Sequence, residues 1–127
     1  MKERRIKNLM YRNRKESLEG IKQSGLPCVI CGWAKKDAKG RVLTEGAHVR
    51  GFHGTGDYDK SDNIISLCPN HHKEFDAGNI TIDPEKKICI HINSKDEFNN
   101  KPLLGSVAHI QPGYFDYHTK HVFKGLY

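Results

Sequence analysis

The chain has 127 residues, 28% of them charged, and a mean hydropathy of −0.70. That length suits one domain with a modest core, which a bound metal would reinforce. No stretch approaches the run of about 18 apolar residues that a membrane span needs, and the N-terminus lacks the apolar segment of a secretory signal, so a soluble, cytoplasmic protein is expected.

The net charge of +6 sits in the first fifteen residues. Lys2, Arg4, Arg5, Lys7, Arg12, Arg14 and Lys15 face a single acid there, Glu3, and the rest of the chain is balanced. A concentrated basic arm suits phosphate binding; a solvated helix that aids solubility is the plainer alternative.

Residues 3–23 read as a helix, with Ile6, Leu9, Met10, Leu18 and Ile21 as its apolar side and Gly20 and Gly25 weakening its end. GLPCVICGW (25–33) reads as a knuckle-like turn and KKDAKGR (35–41) as a polar loop. VLTEGAHV (42–49) and IISL (64–67) read as strands, separated by the long Gly- and Asp-rich loop 50–63. A short helix over 69–77 follows, with Cys68 as N-cap, Pro69 at its first position and Gly78 after its end. NITID and KICIHI alternate apolar and polar around DPEK, which predicts a hairpin with Cys89 buried in a strand. Residues 94–112 have no regular pattern, and GYFDYHTKHVFKG (113–125) predicts a closing helix with an aromatic side.

Cys28, Cys31, Cys68 and His71 form C-x2-C…C-x2-H. Each half has the short spacing that lets two ligands reach one tetrahedral ion, and the second half lies at a helix N-terminus, which favours thiolates. A closed structural Zn2+ site is expected. A redox CxxC would want a thioredoxin-like strand–helix context that CVIC lacks. Adjacent residues on a helix point about 100° apart, so with His71 on zinc, His72 faces elsewhere and is open to a second site.

His48 at the end of the first strand, Asn63 before the second and His72 at the start of the helix stand at three corners of a ββα unit. The run AHVRGFHGTGDYDKSDNIISLCPNHHKEFDAGNITID resembles the HNH nucleases, and the likeness covers about residues 28–83. His48, Asn63 and His72 match the three name-giving positions, and the Cys3His set matches the members that carry a structural zinc. LLGSVAHIQPGYFDYHTKHVF (103–123) resembles, more weakly, the segment that follows the core in restriction-type members. The fold implied is α+β: a small single domain with a ββα-metal core, a structural zinc, an N-terminal basic helix and a C-terminal helix. The expected division is a basic arm over 1–24 and a nuclease domain over 25–127, with its core at 28–83 and an extension at 84–127.

The resemblance implies hydrolysis of a DNA phosphodiester dependent on Mg2+ or another divalent cation. His48 would be the general base, with an acceptor holding its other nitrogen. His72 would bind the cation, and Asn63 would orient the loop and so His48. Many members carry an Asp or His directly before the first motif histidine, where this chain has Ala47. Asp76, four residues after His72 and on the same helix face, could compensate, the alternative being that it caps or contacts the following turn; His53, Asp57, Asp59 and Asp62 are looser candidates. His91, His109, His118 and His121 have no marking pattern and are expected to be ordinary histidines.

Arg50, Lys60, Lys73 and the arm residues Arg4, Arg5, Arg12 and Arg14 are the expected DNA contacts. Phosphate contacts give affinity without sequence choice, so specificity is expected to be weak or structure-based unless a homodimer or a phage or restriction partner adds it. The competing readings are a non-catalytic zinc module that binds nucleic acid and a scaffold whose basic arm recruits an acidic protein.

Overall fold

The computed structural model describes residues 13–51 and 57–127. Helix α1 (Arg14–Gln23) comes first. Its N-cap is Asn13, in extended conformation, whose side-chain oxygen accepts the Glu16 N–H at 3.2 Å. Within the described residues, the helix expected over 3–23 therefore starts at Arg14, because asparagine satisfies a helix N-terminus better than it serves a helix interior. Positions 3–12 of that expectation lie outside the described residues.

Strand β1 (Glu45–His48) pairs antiparallel with β2 (Ile64–Leu67), placing Glu45 opposite Leu67 and His48 opposite Ile64. β1 is shorter than the expected 42–49. The Leu43 N–H bonds the Lys35 carbonyl, Val42 makes an isolated bridge to Lys36, and the Thr44 hydroxyl bonds the Leu26 carbonyl, so residues 42–44 pair away from β2.

Helix α2 (Pro69–Ala77) follows β2 directly, capped by Cys68 and ended by Gly78 at φ 88°. Strands β3 (Ile80–Asp83) and β4 (Ile88–His91) form the second hairpin, and α3 (Tyr114–His121) packs against β3. The result is a small α+β domain of three helices and two two-stranded sheets among the described residues. No helix among them is long and apolar enough to cross a membrane.

The core runs between the two hairpins. Val29, Ile65, Leu67, Phe75, Ile82 and Phe115 are buried there, and so is Cys89, as its strand pattern predicted. The turn at residues 28–33 is stitched into this core. The Val29 N–H bonds the Ser66 carbonyl on β2, and the Val29 carbonyl accepts from Leu104 N–H. Helix α1 lies against the β1–β2 hairpin, where Gly20 meets Ile64. A Cβ at position 20 would sit 2.6 Å from the Ile64 Cβ, so only glycine permits the approach. Residues 14–23 of the expected arm are thus packed on the hairpin.

Candidate active site and metal centre

The helix α2 sequence places four donors together at its first turn. Cys28 and Cys31 come from the turn before β1, Cys68 from the N-cap and His71 from the first turn, and one donor atom of each lies within 4.8 Å of all the others. Cys31 Sγ is 3.9 Å from Cys68 Sγ, and His71 Nδ1 is 3.4 Å from Cys68 Sγ and 3.7 Å from Cys28 Sγ. Two sulfurs bound at about 2.3 Å to a tetrahedral zinc stand about 3.8 Å apart, so these separations fit such an ion.

The protonation chemistry agrees. Burial pushes the Cys28 thiol up, but the hydrogen bond with His71 and those from backbone N–H groups outweigh it and bring it down to about 6. Burial, with the neighbouring Cys28 and Cys68 sulfurs, pushes Cys31 up to about 12, and Cys68 is raised chiefly by burial. One thiolate forms readily in this crowd, and the others need a cation to share the charge. The four cysteines are free. This Cys3His cluster can hold a metal ion such as zinc.

Around the helix from His71, His72 enters a different setting. His72 Nδ1 is 2.8 Å from Glu45 Oε1 on β1, and His72 Nε2 is 3.3 Å from Asp76 Oδ2, one helical turn on. The Asp76 contact is the largest influence on the imidazole; with Glu45 it overcomes burial and raises the His72 pKa. The two carboxylates meet opposite ring nitrogens, so a divalent cation could be taken by Nε2 and Asp76 on one side while Glu45 holds Nδ1 on the other. Sequence reasoning missed Glu45. The available signal was its place opposite Leu67, two residues before the helix that carries His72.

His48 projects from the end of β1. Its Nε2 donates to Asp59 Oδ1 at 2.8 Å, and both side chains are largely buried. Asn63 is fully buried and ties the loop shut. Its side-chain oxygen accepts from Arg50 N–H at 2.8 Å, and its amide nitrogen donates to the Arg50 and Tyr58 carbonyls, each at 2.7 Å. Ala47 is buried in the core and offers no ligand. His48, His72 and Asp76 share the lining of one open cavity of about 370 Å³ with Val49, Gly51, His118 and Val122.

The remaining candidates fall in three groups. Arg50 lies between two aromatic rings, 4.4 Å from the centroid of Tyr58 and 4.1 Å from that of Tyr117. Lys60, Lys73 and Arg14 are exposed, while Arg4, Arg5, Arg12 and His53 lie outside the described residues. Asp57 is exposed, and Asp62 accepts from Gln111 Nε2 at 2.9 Å.

The unmarked histidines behave as structural groups. His118 is buried and stacks on Phe75 at 3.8 Å, with Nε2 donating to the Phe75 carbonyl and Nδ1 accepting from Thr81 Oγ1. His91 meets Glu74 and Asp96, His109 bonds the Ile64 carbonyl, and His121 is exposed beside Tyr117.

Residues 28–83 match the protein-family model described as HNH endonuclease. No curated protein sequence matches the chain. Among solved structures, a "Modification dependent TagI restriction endonuclease" has a similar fold, with a TM-score of 0.66 and 23% identity over 87% of this chain. This chain spans only 38% of the length of that one. Residues 28–83 are thus similar to HNH endonucleases, and the fold that surrounds them is shared with the restriction enzyme.

Proposed function

We propose that the protein is a metal-dependent DNA endonuclease in which His48 is the general base. The observation that carries this reading is the single cavity lined by His48, His72 and Asp76, whose residues arrive from β1 and α2. A phosphodiester needs a base on one side and positive charge on the other, and this cavity supplies groups of both kinds.

His72, through Nε2, and Asp76 would hold the divalent cation, with Mg2+ the natural choice in the cell, while Glu45 holds the other ring nitrogen of His72. When bound, that cation offsets charge on the phosphate and on the departing oxygen. His48 takes the proton of the attacking water. Asn63 keeps the loop ends joined and so fixes the backbone next to His48. Arg50 contacts a phosphate near the cut, its guanidinium kept flat by Tyr58 and Tyr117. Lys60, Lys73, Arg14 and the rest of the basic arm over 1–24 add sequence-independent affinity. The Cys3His set takes Zn2+ as a structural ion. Its free thiols suit the reducing cytoplasm. The modification dependence named for the TagI enzyme makes modified DNA a substrate to include in assays, and any homodimer or phage or restriction partner would supply further specificity.

Plasmid nicking tests the reading. Wild-type protein should cut with Mg2+ or Mn2+ and stop in EDTA, and His48→Ala should lose about 100-fold or more in rate. An alanine variant that cuts as well as wild type would remove His48 from the mechanism. No cutting of any DNA form with any metal would favour the non-catalytic nucleic-acid-binding module.

A further inference from the structure

We infer that Asp59 is a positioning residue for His48, setting which ring nitrogen is basic, and that the first turn of α1 holds Asp59 in place. This rests on the reading of His48 as the base.

The contact between His48 Nε2 and Asp59 Oδ1 is 2.8 Å. A carboxylate only accepts, so the ring proton belongs on Nε2 and the lone pair on Nδ1. His48 lines the cavity with His72 and Asp76, whereas Asp59 is not among the described residues that line it. Asp59 therefore grips the ring from the side away from the reacting groups. That is the arrangement a base needs: one nitrogen held, the other basic.

Asp59 is itself held. It is 6% exposed, and a buried carboxylate is costly unless both oxygens are satisfied. Its second oxygen accepts the Asn13 N–H at 2.7 Å. Asn13 is the N-cap of α1, and in the first turn Glu16 Oε1 accepts the Ser61 N–H at 2.9 Å. Two hydrogen bonds from one end of α1 thus hold the loop, one at Asp59 itself and one at Ser61. With both oxygens engaged and its side chain off the cavity wall, Asp59 is poorly placed to be the missing cation ligand, and its residue type is explained by His48.

The consequence is an effect on rate and not on binding. The test uses the full chain, loaded with zinc, as wild type and as Asp59→Asn. Asparagine has the same shape and can still accept from Asn13 N–H through its oxygen. Its NH2 then faces His48 Nε2, which must become an acceptor, moving the ring proton to Nδ1. Long-range 1H–15N correlation spectra read the tautomer directly. Wild type should give His48 protonated on Nε2, and Asp59→Asn should give it on Nδ1. In cleavage assays the variant should lose about 100-fold or more in kcat, with KM and the Mg2+ requirement unchanged.

A wild-type His48 protonated on Nδ1 would overturn the proposal without any variant. So would an Asp59→Asn protein that cuts at the wild-type rate, or one whose defect is cured by more Mg2+, which would make Asp59 a ligand. The spectrum needs no DNA, so a failure of the nuclease reading itself is seen separately in the nicking assay.

Discussion

His71 and His72 are neighbours in sequence, but their rings meet opposite chemistry. His71 Nδ1 faces two sulfurs, and His72 faces two carboxylates. Substituting each should therefore damage different things. His71→Ala should lose stoichiometric zinc and cost several kcal/mol of stability, because the binding energy of a structural ion is also folding energy. His72→Ala should keep its zinc and stay within about 1 kcal/mol of wild type, since its partners are partly solvated ion pairs. It should nevertheless lose about 100-fold in cleavage. Metal analysis, denaturant melts and nicking rates on the two variants separate these outcomes. If His72→Ala cuts normally, the cation is held elsewhere.

At the scale of elements, Arg50 links pieces that are distant in sequence. Tyr58 comes from the long loop, Tyr117 from α3, and the Asn63 amide grips the Arg50 backbone from both sides. If the guanidinium also contacts a phosphate, Arg50→Gln should lower the slope of log K against log salt by about 0.9. Arg50→Lys should keep the slope and bind more weakly, because an ammonium is a poor planar stacker. A slope unchanged in Arg50→Gln would leave Arg50 as a bolt between loop and helix. The same contrast between near and far explains what the sequence disclosed. Strand β2 and helix α2 could be read to the residue, because Pro69 and Gly78 act locally and the Cys–His spacing is short. Asn63 was readable as a loop tie for the same reason. The Glu45–His72 contact, the Asp59–His48 pair and the tyrosine sandwich were not. Each depends on a side chain reaching across the fold, which no window of sequence records. Asn13 shows the limit from the other side. The apolar pattern ran straight through position 13, and a single cap residue there starts the described helix at Arg14.

For the molecule as a whole, His118 ties acidity to stability. Burial drives its pKa from the ordinary value near 6.5 down to about 4, with the Phe75 carbonyl resisting only in part. Between those two values the unfolded chain takes up a proton that the folded chain refuses. The stabilisation is complete above about pH 6.5 and drains away as the pH falls toward 4, by roughly 3 kcal/mol at most. Urea midpoints at pH 7.5 and pH 5 should fall less in His118→Gln than in wild type. Equal drops would place the acid sensitivity elsewhere, for example in the cysteine cluster. The adjoining histidines of α2 carry a different consequence. One turn of helix serves as a common ruler for both sites, so neither can be moved alone. A residue inserted between Cys68 and His71 would turn every later side chain by about 100°, taking His71 off the sulfurs and His72, with Asp76 turning alongside it, off Glu45 in one stroke. Length changes in that turn therefore disturb both sites at once in a way that single substitutions do not.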